Sequence, residues 1–193
     1  MVERVFSGPI GCLCLAMIRC GLCEGWTMLD SGRLKQAFNQ LSNALRQSLS
    51  PGVLVFLTGV AEDKGYLLAE ALGDACRFIN VGKYLSTHLL EVPRSRRSQK
   101  ALQLLSEEAS AGPCCFYDLE ILFDPGMKLD VLTSLKTLAK GRELYVDWPG
   151  EWKAEEQCLT FAEPEDPAYR AYPVDAEIGV VDLSGETYPA LEF

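Results

Sequence analysis

Apolar side chains recur at Leu34, Phe38, Leu41, Leu45 and Leu49, in steps that place them on one face of a helix, and Pro51-Gly52 then stops it. The period changes at once. "VLVFL", Val53 to Leu57, is continuously apolar and rich in β-branched residues, as in a strand covered on both faces. A second helical pattern runs from about Tyr66 to Asp74, and "RFINV" predicts a short strand around Phe78 to Val81. Helical spacing returns at Lys83–Leu90 and Ser98–Ser110, and "CCFYDLEILF" from Cys114 reads as another buried strand. Lys128–Lys140 reads as a helix ended by Gly141, with strands in "ELYVDW" from Glu143 and "EIGVVDL" from Glu177. Strands alternating with helices predict an α/β domain with a mostly parallel sheet. No stretch approaches the length of a membrane span, so no membrane association is expected.

At 193 residues, 48% hydrophobic and 23% charged, the chain has material for one substantial core. The formal charge of -9 is local: of 27 acidic side chains 11 follow residue 150, against 2 of the 18 basic ones. This acidic C-terminal segment reads as irregular and solvated, or as a docking surface for a basic partner. No long basic run predicts direct nucleic-acid binding. Positive charge is concentrated only at Arg94, Arg96 and Arg97, a solvated loop or a contact for DNA or an acidic partner within a complex.

Cysteine usage divides the chain. Cys12, Cys14, Cys20 and Cys23 crowd the first 23 residues, but Cys20-x-x-Cys23 has no second pair at zinc-ribbon spacing and the single histidine, His88, is remote. "IGCLCLAMI", residues 10–18, mimics a secretory signal without a clean cleavage site. The reading preferred is that residues 1–27 are a non-native or disordered extension. The working domain, residues 28–193, then begins at Met28, where Asp30 or Ser31 can cap the first helix. A thiol or metal function through the four early cysteines is the competing class. Cys76, Cys114, Cys115 and Cys158 lie in apolar surroundings, as reduced cytoplasmic thiols do.

The chemistry centres on "LTGVAEDKGYLLAEAL", Leu57 to Leu72, which leaves a buried strand and enters a helix where an α/β sheet binds its ligand. A phosphate loop needs glycines so that backbone N–H groups converge, a lysine for the outer oxygens and a hydroxyl for magnesium. Gly59 opens such a loop. In G-x-x-x-x-G-K-[ST] register, however, Lys64 stands at the second glycine, Gly65 at the lysine and Tyr66 at the hydroxyl. Glu62 and Asp63 would repel a triphosphate. The complementary half is "CCFYDLE", where Asp118 and Glu120 follow an apolar strand and could project to one side of it. Asp118 would hold magnesium and Glu120 would polarise water; the bland alternative is a strand-capping Asp118 and a solvated Glu120.

"DLEILFDPGMKLDVLTSLKTLAKGRELYVDWPGEW", residues 118–152, with "LTFAEPEDPAYRAYPV", residues 159–174, resembles the BrxF family, the small P-loop proteins of type 3 bacteriophage-exclusion (BREX) systems. "FINVGKYLSTHLLEVPRSRR" is similar to the same family. The resemblance covers roughly Leu34 to Leu183. It implies a cytoplasmic bacterial antiphage-defence protein on a three-layer P-loop NTPase-like domain, with other defence proteins as partners and DNA met only through the complex. Family members usually carry an intact Gly-Lys-Ser/Thr loop, from which Lys64, Gly65 and Tyr66 depart. Two functions follow: an accessory subunit, with Gly59, Lys64, Gly65 and Tyr66 as a degenerate Walker A loop whose ATP and Mg binding is weak or lost, and with Asp118 and Glu120 as catalytic carboxylates if it is an ATPase; or a pseudo-ATPase that keeps the sheet only for docking.

Overall fold

The computed structural model describes residues 52–59, 69, 71–74, 76–175 and 178–182. The expected start at Met28, the helix of Leu34 to Leu49, the four early cysteines and Lys64, Gly65 and Tyr66 lie outside them. In chain order the described elements are β1 (Val53–Thr58), β2 (Arg77–Asn80), α1 (Val81–His88), α2 (Arg97–Ser110), β3 (Cys114–Tyr117), α3 (Val131–Ala139) and β4 (Glu143–Asp147). They continue with β5 (Trp152–Lys153), β6 (Cys158–Phe161), β7 (Arg170–Pro173) and β8 (Gly179–Asp182).

Five of the strands form one parallel sheet in the order β2-β3-β4-β1-β8. β1 is interior, with all six residues buried, which explains its unbroken apolar run. Its side chains alternate between two clusters. Leu54 and Phe56 join Phe116, Leu144 and Val146 beneath α1, α2 and α3; Val53, Val55 and Leu57 join Cys115, Tyr145, Val181 and Ala71 on the opposite face. The chain leaves β1 for the far edge strand β2 and then returns through β3 and β4; Ala71 and Leu72, before β2, lie on one face of the sheet, and the helices of the returning connections lie on the other, the division that right-handed crossovers would give. The molecule is therefore α/β with a mostly parallel sheet, compatible with three layers.

Local chemistry sets the boundaries. Asn80 caps α1 by accepting from the Lys83 N–H at 2.6 Å, and Asp130 caps α3 by accepting from the Thr133 N–H at 2.8 Å. α3 consequently begins after Asp130, later than the periodicity from Lys128 suggests, because Lys128 takes a left-handed φ of 50°. A larger departure falls at "CCFYDLEILF". The strand ends at Tyr117, since Asp118 has φ 58° and breaks the ladder, and Glu120–Phe123 form a 3-10 turn.

Residues 152–173 of the C-terminal segment are not irregular as expected. β5, β6 and β7 make a separate antiparallel sheet. Trp148, buried just after β4, ties it to the main body: its Nε1–H donates to the Thr160 carbonyl at 2.7 Å, and its ring meets Phe56 and Phe123 edge-on, each at 5.3 Å. Phe123 stacks on Phe161 at 3.7 Å. Sequence periodicity misses this sheet because its strands are only two to four residues long and Glu155, Glu156, Glu163, Glu165 and Asp166 lie exposed between them. No described helix is long and apolar enough to cross a membrane.

Candidate functional site at the carboxyl ends of the strands

A parallel sheet leaves its crevice where neighbouring connections diverge to opposite faces, and β1 is that strand. Its last residue, Thr58, is fully buried, and its Oγ1 donates to Asp182 Oδ1 at the tip of β8, 3.1 Å away. Gly59 follows with φ 90°, a turn that favours glycine, and opens the loop expected to meet phosphate. On the other side Leu57 stands in register with Asp147 of β4, and Trp148 N–H continues the ladder to the Leu57 carbonyl at 2.8 Å. Asp118 follows β3, the next strand out.

Asp118 and Glu120 are thus brought together, though not as predicted. Strand alternation does not align them; the left-handed turn at Asp118 and the 3-10 turn beginning at Glu120 do. The Glu120 carboxyl is pushed above its ordinary value, first by partial burial, which outweighs a hydrogen bond from its own backbone, and then by hydrogen bonding with Asp118 and by the charges of Asp118 and Asp147. Glu120 therefore feels carboxylates from two adjacent strands.

Asp147 and Asp182 escaped the sequence reading, although both end apolar strands, "ELYVD" and "GVVD", by the same signal that picked out Asp118. Their placement beside β1 depends on the strand order, which the sequence does not state. Among the described residues no group of three or more His, Cys, Asp or Glu side chains could hold a metal ion. Magnesium ordinarily needs only one or two carboxylates besides water and substrate phosphate, and Asp118 with Glu120 fits that smaller demand.

The basic turn is a separate feature. Arg94–Arg96 form a 3-10 turn, Arg94 and Arg96 are exposed, and half-buried Arg97 donates from Nε to the Val92 carbonyl at 3.0 Å. Among the cysteines, burial raises Cys76 to about 12 and Cys114 to about 11, which keeps both thiols protonated at neutral pH. They are packing residues. Comparisons of the chain with family models, curated proteins and solved structures found no match.

Proposed function

We propose that the chain is a cytoplasmic P-loop-like accessory subunit of a BREX-type bacteriophage-exclusion system, one that engages a nucleotide's phosphates weakly by itself. The observation that carries the nucleotide part is the switch point: Gly59 leaves the interior strand β1, with Asp147 at the end of the adjacent strand and Asp118 and Glu120 in the turns just after the next one. Its assignment to phage exclusion rests on the BrxF-like segments at 118–152 and 159–174.

Charge explains why affinity is weak in isolation. Asp147 and Asp182 end β4 and β8, Asp118 and Glu120 follow the end of β3, and Glu62 and Asp63 add to them in sequence. Phosphate is repelled unless a cation intervenes. Lys64 is the loop's only cation in sequence, magnesium bound through Asp118 would supply a second, and a partner's arginine a third. In this reading Glu120 orients the attacking water if hydrolysis occurs.

The test is a titration of the full chain with a fluorescent ATP analogue, with and without magnesium, repeated on Lys64→Ala and Asp118→Ala. Each protein is measured alone and co-expressed with the products of neighbouring genes. Magnesium-dependent binding, lost in both variants and strengthened in the assembly, is the expected result. Absence of binding in every state, with phage exclusion retained by both variants, would leave a pseudo-ATPase whose sheet serves docking alone.

A further inference from the structure

Gly82 is the second residue of α1, and no left-handed φ accounts for it. Glycine inside a helix is less stable than alanine, so its presence calls for a spatial reason. The reason is Asp118. A Cβ on residue 82 would fall 2.7 Å from Asp118 Oδ2, 3.0 Å from its Cγ and 3.2 Å from its carbonyl oxygen. The Gly82 N–H donates to that same carbonyl at 2.8 Å. Asp118 for its part adopts φ 58°, a conformation uncommon for a residue with a Cβ. The turn folds its carboxyl back over the first turn of α1, into space that a side chain at position 82 would occupy.

We infer that Gly82 is a positioning residue of the candidate site, its missing side chain setting where the Asp118 carboxyl rests. The functional part of this inference rests on the nucleotide reading above; the seat itself does not. The two closest atoms belong to the Asp118 side chain, which can rotate, and alanine favours a helix. Gly82→Ala is therefore expected to fold and to re-aim the carboxyl.

The experiment combines crystal structures of the wild type and Gly82→Ala with the magnesium-dependent titration of Gly82→Ala, Asp118→Ala and the double variant. The expected result is a displaced Asp118 carboxyl in an unchanged sheet. Magnesium-dependent affinity should fall about tenfold or more, with no further loss in the double variant over Asp118→Ala. An Asp118 carboxyl that stays in place, or wild-type magnesium dependence in Gly82→Ala, would overturn the inference. A wild type that binds no nucleotide in any state would instead remove the nucleotide reading, and the crystal structures would still decide whether Gly82 sets the carboxyl. Should Gly82→Ala fail to fold, Gly82→Ala combined with Asp118→Gly is expected to fold, because the colliding carboxyl is gone. Failure of that combination would assign the glycine to backbone packing and overturn the inference.

Discussion

Replacing Gly150 by alanine should loosen the joint between the two sheets. A Cβ at that position would lie 1.7 Å from the Thr160 carbonyl oxygen and 3.0 Å from Trp148 Nε1, so the two segments must part by more than ~1 Å. That oxygen accepts the indole N–H of buried Trp148 at 2.7 Å, a bond that such a movement breaks. Overpacking costs about 1–3 kcal/mol and an orphaned buried donor about 1–3 kcal/mol more, for a loss of about 2–6 kcal/mol. Against a typical total of about 5–15 kcal/mol this is a large fraction, equivalent to a fall of roughly 5–20 °C in Tm. Urea unfolding followed by tryptophan fluorescence and far-UV circular dichroism measures it. The two probes should separate if the antiparallel sheet detaches first. A Gly150→Ala midpoint equal to wild type by both probes would refute the reasoning, since it would mean that the close approach to Thr160 bears no load.

Arg94→Ala with Arg96→Ala should leave stability within about 0.5 kcal/mol, whereas Arg97→Ala, which loses the bond to the Val92 carbonyl, should cost about 1 kcal/mol in urea. If the turn meets an acidic partner, the double variant should weaken assembly most at low ionic strength, and identical assembly at every salt concentration would make it a solvated loop. Glu120 titrates above its ordinary 4.5 in the folded chain, so the proton is held more tightly folded than unfolded; the stabilisation is complete below the ordinary value and is lost as pH rises through the raised one. Glu120→Gln should therefore raise the urea midpoint relative to wild type at pH 7, the difference closing below pH 4.5, and a gap independent of pH would contradict the Asp118–Glu120 coupling.

The alternation of buried strands and amphipathic helices was legible because β1, β3 and β4 are short apolar runs and α2 and α3 repeat their buried positions at helical spacing. Val53 to Leu57 is the clearest case, since an interior parallel strand needs no polar position. Asp118 and Glu120 were legible as carboxylates near a strand end, but their approach was not: it depends on a left-handed residue, which local propensity disfavours for any side chain bearing a Cβ. The antiparallel sheet was hidden by short strands and by charge that suits a solvated coil equally well. Gly82 gives no signal in the sequence, because a glycine that makes room is indistinguishable from one that makes a turn until its neighbour is known.

The position of β1 also has a consequence for synthesis. This strand is among the first parts of the described fold to emerge from the ribosome, yet its partners on both edges come late: β4 about 90 residues on, and β8 far enough that Thr58 and Asp182 are 124 positions apart. At roughly 5–20 residues per second, its apolar side chains and unpaired backbone groups wait about 5–18 s for β4. During that interval Val53 to Leu57 is an unpaired template for any other nascent chain, so the strand that becomes the most protected in the native sheet is the one whose delayed closure governs the risk of aggregation.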